Sequence, residues 1–360
     1  MASVKANTRD SFAITFAVPD QLQNEFSYVQ GQYLTLRATI DGQEVRRSYS
    51  ICSAVQDKRL RIAIKKVAGG AFSNWAAGHL LPDSIIDVMP PQGHFHIPLV
   101  PELSRHVMAF AAGSGITPML SIIKTMLIAE PLTRFTLVYG NRSSSGVMFK
   151  EELEDLKDTY LTRFNLVWVM SRESQDIELF NGRIDYAKTS ELLTRWVDPA
   201  SIDAAFICGP HEMMLAVTQA LQDKGVEKSR IKSELFGTAA PARARAAPAD
   251  VHGHLQCAVQ RDEQCEVEVV LDGSRRSFTM AKNASSLVDA ALKAGVDMPY
   301  SCKGGVCSTC RAQVIEGEVE MDNNFALEDY EVARGFVLCC QSFPVSNKLV
   351  IDFDQEHSHA

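Results

Sequence analysis

Tyr300-Ser-Cys-Lys-Gly-Gly-Val-Cys-Ser-Thr-Cys310 sets three cysteines in the order Cys-x4-Cys-x2-Cys, and the adjacent Cys339 and Cys340 follow in the same segment. A fourth thiolate at that remove completes the spacing that holds a [2Fe–2S] cluster. Such a cluster carries one electron at a time, so the segment reads as an electron carrier. A zinc ribbon would need two Cys-x2-Cys knuckles, and only Cys307 and Cys310 make one. A disulfide framework suits a small secreted domain. This chain has 360 residues and an odd count of cysteines, and Met1–Asp10 lacks the apolar stretch of a secretory signal. Gly304 and Gly305 let the loop backbone approach close enough to donate N–H groups to sulfur.

A chain of this length accommodates two or three domains. Composition is that of a globular protein, 46% hydrophobic and 22% charged. No run of about 18 apolar residues occurs, so no membrane span is expected and the location is read as cytoplasmic. Residues 257–360 contain 17 acidic and 9 basic residues, which accounts for the whole net charge of −8. An acidic surface disfavours nucleic acid and steers toward a basic partner patch. His357 and His359 end a polar tail and are read as disordered rather than as ligands.

Working outward, Gly237–His254 is rich in Ala, Pro and Arg and has no hydrophobic period. It reads as a tether of about 25 Å r.m.s. span. Upstream, Phe12–Val18, Tyr33–Arg37 and Leu60–Lys65 alternate apolar and polar residues between turn signals, which suggests a barrel or sandwich. From His106–Ala112 onward the pattern changes. Apolar strands at 106–112, 135–139, 166–170 and 205–208 alternate with helical stretches near 117–129 and 149–158, the mark of an open α/β sheet. In the tail, 266–274 and 277–280 read as a hairpin, Ser285–Gly295 as a helix with a Ser cap and a Gly stop, and Leu349–Phe353 as a closing strand. The expected divisions are therefore 1–101 (β), 102–236 (α/β), 237–255 (linker) and 256–360 (α+β).

Two further groups of residues carry chemistry. Arg47-Ser-Tyr-Ser50 follows one strand and Gly69-Gly-Ala-Phe-Ser73 another. A flavin needs an aromatic beside its ring, a polar group at its reactive edge, and a cation and backbone N–H groups for its phosphates. Tyr49, Ser50, Arg47 and the Gly70–Ser73 turn supply those types. Gly113-Ser-Gly-Ile-Thr-Pro118 directly follows an apolar strand. Its glycines allow a dinucleotide to approach, Thr117 is expected to cap the next helix, and the helix N-terminus faces the phosphates. Cys208-Gly-Pro210 marks a second close approach at the carboxyl edge of the sheet.

Taken in order, these motifs and the trailing Glu234-Leu-Phe236 resemble the ferredoxin–NADP reductase superfamily with an appended plant-type ferredoxin domain. The resemblance covers nearly the whole length. It implies an antiparallel flavin-binding β-barrel, an open parallel α/β nucleotide-binding domain and a β-grasp ferredoxin domain. Family spacing selects Cys302, Cys307, Cys310 and Cys340 as cluster ligands and leaves Cys339 a free thiol. Arg47, Tyr49 and Ser50 would hold FAD, with Ser50 near the flavin N5. Gly69, Gly70, Phe72 and Ser73 would meet its pyrophosphate. Gly113, Gly115 and Thr117, with Cys208, Gly209 and Pro210, would line the pyridine nucleotide. Glu234 and Phe236 would close over the flavin face, and Ser50, Cys208 and Glu234 form the implied catalytic set.

Ser171 and Arg172 follow the strand at 166–170, where this superfamily binds a ribose 2′-phosphate. An Arg and a hydroxyl suit a phosphate, so NADPH is the expected donor. Relatives usually carry a fuller first strand before the equivalent of Thr8-Arg-Asp10, so the reading is either an incomplete start to the barrel or a late start of the sequence. Within the superfamily the chain is similar to reductase subunits of multicomponent phenylacetyl-CoA epoxidases. That similarity implies electron flow from NADPH through FAD and [2Fe–2S] to di-iron oxygenase subunits docked on the acidic ferredoxin domain. An aromatic ring-hydroxylating dioxygenase or a demethylase is the alternative partner.

Overall fold

A computed structural model describes residues 1–236 and 264–357. The chain divides into two compact units, Met1–Phe236 and Gly237–Ala360. The tether read at 237–255 lies outside the described residues.

The first unit opens with β1 (Ser3–Thr8), β2 (Ser11–Phe16), β3 (Tyr33–Ile40), β4 (Gln43–Ser50), β5 (Leu60–Lys65), α1 (Ala71–His79) and β6 (Asp87–Val88). They form two antiparallel three-stranded sheets, β1-β2-β5 and β4-β3-β6, joined by a bridge between Ile51 and Ile62. Phe12 stands opposite Ile64 and Ile14 opposite Ile62. The two-residue side-chain period therefore puts both pairs on one face, where Leu34, Leu36, Phe72 and Ala76 join them. The opening segment does form a paired strand: Ser3 through Ala6 pair with Thr15 through Phe12. Most of its side chains are exposed or half-buried, so backbone pairing on the sheet edge needs no apolar run to reveal it.

The same unit continues with β7 (His106–Ala112), α2 (Ile116–Ala129), β8 (Arg134–Asn141), α3 (Lys150–Thr159), β9 (Phe164–Met170), α4 (Tyr186–Arg195), β10 (Ile202–Gly209), α5 (His211–Asp223) and β11 (Ile231–Leu235). All five strands are parallel, in the order β11-β10-β7-β8-β9. β7 is buried along nearly its whole length, which its continuous apolar sequence requires. The chain turns to opposite sides of β7, so the order reverses there. In open α/β sheets that reversal leaves a crevice at the carboxyl ends of the strands. The turn after β7 and the Cys208–Pro210 segment that ends β10 both stand at that edge.

The turn differs from expectation in one detail. Gly113–Gly115 forms a 3-10 turn that runs straight into α2, with Gly115 at the cap position. Thr117 does not cap the helix; its hydroxyl donates to the Ser114 carbonyl at 3.0 Å. The tight turn starts the helix earlier than the sequence suggests, leaving Thr117 inside its first turn.

The second unit contains β12 (Gln264–Leu271), β13 (Ser274–Ala281), α6 (Leu287–Lys293), β14 (Arg311–Glu316), β15 (Val319–Met321), α7 (Asp329–Ala333), β16 (Phe336–Leu338), β17 (Ser342–Pro344) and β18 (Lys348–Asp352). Its main sheet has the order β13-β12-β18-β14-β16, and β15 and β17 form a separate pair. Ser286 caps α6 by accepting the Asp289 N–H, and Gly295, at φ 76°, ends it. Leu287, Val288 and Ala291 of α6 enter the same core as Val267, Val269, Leu349 and Ile351. A mixed sheet grips one helix, the β-grasp arrangement.

Candidate flavin, nucleotide and iron–sulfur sites

In the first unit the strand register brings three reactive side chains together. Cys208 on β10 stands directly opposite Glu234 on β11. Ser50, the last residue of β4, reaches in from the β sheets and donates from Oγ to Glu234 Oε2 at 3.4 Å. Burial lifts the Glu234 carboxyl to about 8, with the Ser50 hydrogen bond acting the other way. Burial, and then the Glu234 charge, push the Cys208 thiol well up, so its neutral form persists. Gly115 fits against this group because it lacks a side chain. A Cβ there would fall 2.2 Å from the Cys208 carbonyl oxygen and 3.2 Å from its sulfur.

Alternation along β4 puts Arg47 and Tyr49 on the face opposite Ser50. Arg47 is exposed and donates to the Arg46 carbonyl at 2.7 Å. The Tyr49 ring lies 5.8 Å from that of buried Phe72, and burial pushes its hydroxyl pKa up. Gly69, at φ 72°, turns the chain into α1. Ser73 Oγ accepts the Val67 N–H at 3.1 Å, and the Asn74 amide donates to the carbonyls of Val67 and Gly70. The helix thus braces its own entry turn, leaving the N–H groups of its first turn for an anion.

Gly113 has φ 55° and open space where a side chain would stand. Its carbonyl accepts from the hydroxyl of fully buried Tyr139 at 2.8 Å. No sequence signal announces this brace, since an aromatic inside an apolar strand reads as core. Gly209 is restricted by packing: a Cβ would meet Met213 Cε at 2.6 Å. Pro210 then precedes α5 at its cap position. Ser171 and Arg172 are exposed just past β9, their N–H groups donating to the carbonyls of Asn141 and Arg142. Glu173 instead accepts from the Ser144 N–H and hydroxyl at 2.7 and 3.0 Å. Among the described residues no ion pair links Arg172 to Glu173. Phe236 is half-buried against the core of the parallel sheet.

In the second unit, Cys307 Sγ lies 3.1 Å from Cys302 Sγ, and the Gly304 N–H points at Cys302 Sγ from 3.3 Å. The Cys340 N–H meets Cys310 Sγ at 3.4 Å. Cys339 is fully buried in the core and is joined to Cys310 through the backbone, its N–H donating to the Cys310 carbonyl at 3.0 Å. These cysteines are unbridged by disulfides, and backbone N–H groups meet the sulfurs of Cys302 and Cys310; soft sulfur donors of this kind suit an iron–sulfur cluster.

Comparison with known proteins agrees with this arrangement. Residues 2–97 match the oxidoreductase FAD-binding domain, 110–219 the oxidoreductase NAD-binding domain, and 269–345 the 2Fe-2S iron-sulfur cluster binding domain. Fold and sites together define an NAD(P)H-dependent oxidoreductase that uses FAD and a [2Fe–2S] cluster. The chain is 43% identical over 354 residues to one of the subunits of the 1,2-phenylacetyl-CoA epoxidase of Escherichia coli (strain K12), covering 98% of this chain and 96% of that one. It is 34% identical to the ferredoxin reductase component of 3-ketosteroid-9-alpha-monooxygenase of Rhodococcus rhodochrous, covering 98% and 95%. The crystal structure of phthalate dioxygenase reductase has the same fold, with TM-score 0.56 and 23% identity over 98% of this chain and 96% of that one. The chain belongs to the family of oxygenase reductase components that includes this Escherichia coli protein. Its three domains fit electron transfer from NAD(P)H through FAD to [2Fe–2S].

Proposed function

We propose that this chain is the reductase of a multicomponent di-iron oxygenase acting on phenylacetyl-CoA, and that it draws its electrons from NADPH. The observation that carries the catalytic assignment is the convergence of Ser50, Cys208 and Glu234 from three strands. The oxygenase assignment is supported by 43% identity to the epoxidase component over almost the full length.

Bound at these sites, FAD would take a hydride from the nicotinamide and hand single electrons to the cluster. In this reading the chain's own residues take the following roles. Arg47 offers a cation to the flavin phosphates, and Tyr49 an aromatic face beside its ring. Gly69, Gly70, Phe72 and Ser73 form the turn whose amides meet the pyrophosphate. Ser50 presents a hydroxyl at the reactive edge, oriented by Glu234. Protonated Glu234 keeps that edge free of net negative charge, which would oppose hydride arrival. Neutral Cys208 fills the nicotinamide side without repelling it, and Phe236 covers the flavin face. Gly113, Gly115, Thr117, Gly209 and Pro210 line the dinucleotide, while Ser171 and Arg172 offer a hydroxyl and a cation to a 2′-phosphate.

Cys302, Cys307, Cys310 and Cys340 would hold the cluster. We assign domain boundaries at 1–101, 102–236, 237–255 and 256–360. The net charge of −8 lies wholly within residues 257–360, which supports docking of the ferredoxin domain on a basic face of the oxygenase. Among the described residues no helix is long and apolar enough to cross a membrane.

Anaerobic mixing with NADPH or NADH tests the relay while flavin and cluster absorbance are followed, with and without the oxygenase components of the epoxidase. The expected result is faster flavin bleaching by NADPH, then cluster reduction, then phenylacetyl-CoA-dependent reoxidation. Turnover only with a ring-hydroxylating dioxygenase or demethylase would reassign the partner.

A further inference from the structure

Gln341 is fully buried directly after the fourth cysteine of the cluster set. A buried primary amide must place two N–H donors and one carbonyl acceptor. Gln341 Nε2 donates to the Lys303 carbonyl at 3.0 Å and to the Cys340 carbonyl at 2.9 Å, and lies 3.8 Å from Cys340 Sγ. Its Oε1 accepts from Asn323 Nδ2 at 3.0 Å. The backbone is engaged too, its N–H to the Leu338 carbonyl and its C=O to the Asp322 N–H. One side chain therefore joins three segments: the Cys302–Cys307 loop, the loop at 322–325, and the last ligand.

The loop it holds is under constraint. Lys303 has φ 52°, a left-handed conformation that costs a long side chain. Its carbonyl is aimed at the Gln341 amide. Gly305 has φ 73°, and a Cβ there would fall 2.7 Å from the Asn323 carbonyl oxygen and 3.0 Å from Gln341 Cγ. The Phe325 N–H donates to the Gly305 carbonyl at 2.9 Å. The loop is packed and hydrogen-bonded onto the Gln341–Asn323 pair.

We propose that Gln341 is a positioning residue for the cluster: it fixes the ligand loop through the Lys303 carbonyl and shares its other N–H between the Cys340 carbonyl and the Cys340 sulfur, raising the reduction potential. The inference rests on the reading of Cys340 as a ligand. A donor to a ligand sulfur stabilises the negative charge added on reduction, so its loss makes reduction harder. The Oε1–Asn323 bond fixes which end of the amide faces the sulfur.

The test is an EPR-monitored redox titration of the full-length holoprotein and its Gln341→Met and Asn323→Ala variants. Met keeps the side-chain shape and removes both donors. Asn323 is only half-buried, and its loss releases the amide while leaving Gln341 in place. The expected result is a lower cluster midpoint potential and an altered EPR signal in both, larger in Gln341→Met, with flavin potential and flavin reduction rate unchanged. Loss of the cluster from a Gln341→Met protein that stays folded by circular dichroism supports the bracing role. If Gln341→Met does not fold, Asn323→Ala decides alone. Wild-type potential and signal in a loaded variant overturn the proposal. Absorbance of Cys339→Ala and Cys340→Ala proteins separates the two ideas: a cluster retained without Cys340 removes the ligand reading itself.

Discussion

Ser50 and Glu234 are 184 residues apart in the chain and joined by one hydrogen bond of 3.4 Å. The bond ties the end of an antiparallel strand to the edge strand of the parallel sheet, beside Cys208. If this is where hydride crosses, Ser50→Ala slows flavin reduction by roughly 10²-fold, the scale of a positioned polar group in proton and hydride chemistry. Stopped-flow bleaching of the flavin measures it. An unchanged rate with full flavin content would move the reactive edge elsewhere.

The Glu234 carboxyl gives this site a pH signature. In the folded chain it holds its proton up to about pH 8, whereas the unfolded chain releases it near 4.5. The folded state binds the extra proton between those values. Its stabilising contribution is therefore full below about pH 4.5 and is lost as pH rises through about 8. Urea unfolding should show wild-type stability falling relative to Glu234→Gln by on the order of 2–4 kcal/mol across that window. Parallel pH trends in the two proteins would clear Glu234 of the effect.

Coenzyme choice is expected to rest on Arg172. It stands exposed past β9, while Glu173 is engaged by Ser144. Arg172→Ala should raise the KM for NADPH by roughly 10- to 100-fold, the worth of a charge-assisted phosphate contact, and leave NADH use unchanged. Equal loss with both coenzymes would place Arg172 outside the 2′-phosphate site.

Gly115→Ala would drive a Cβ to 2.2 Å from a backbone oxygen, which cannot rotate away. The expected cost is about 1–3 kcal/mol in the first unit, with weaker nucleotide binding. Thermal melting followed through flavin release reads the first effect, and dinucleotide titration the second. A wild-type melt would mean that the turn shifts freely.

Arg311 follows a proposed ligand and forms a buried ion pair with Glu331 of α7 at 2.9 Å, under the Phe336 ring. Glu331→Gln takes this carboxylate charge away from the guanidinium and should destabilise the second unit by about 3–5 kcal/mol. Replacing both partners with apolar residues should cost less. If the single and double variants melt alike, the pair contributes packing only.

Local signals carried far along this chain. The apolar run at 106–112 suited a buried strand, which forms there, and the Ser and Gly around 285–295 bound a helix that forms from Leu287 to Lys293. Cysteine spacing singled out the cluster loop because sulfur chemistry tolerates few patterns. Features set by distant partners stayed hidden. The Ser50–Glu234 bond exists only once the sheets have assembled, although the family resemblance puts both residues near the flavin. Tyr139 reads as core until its hydroxyl is seen to hold the Gly113 carbonyl. Gln341 sits among ordinary polar residues until burial exposes how many partners it has. The opening strand lacks an apolar pattern because an edge is held by its backbone.

The strand order of the second unit has a temporal meaning. β18, the last strand among the described residues, is the central strand of the sheet, with β12 on one side and β14 on the other. While the chain emerges from the ribosome, the two halves of that sheet have no common member until Lys348–Asp352 arrives. All four proposed ligand cysteines are by then synthesised and still lack a finished scaffold. The sheet that carries the ligands therefore forms only after Lys348–Asp352 has been made, and a nascent protein arrested before that strand would expose reactive thiols instead of a folded carrier.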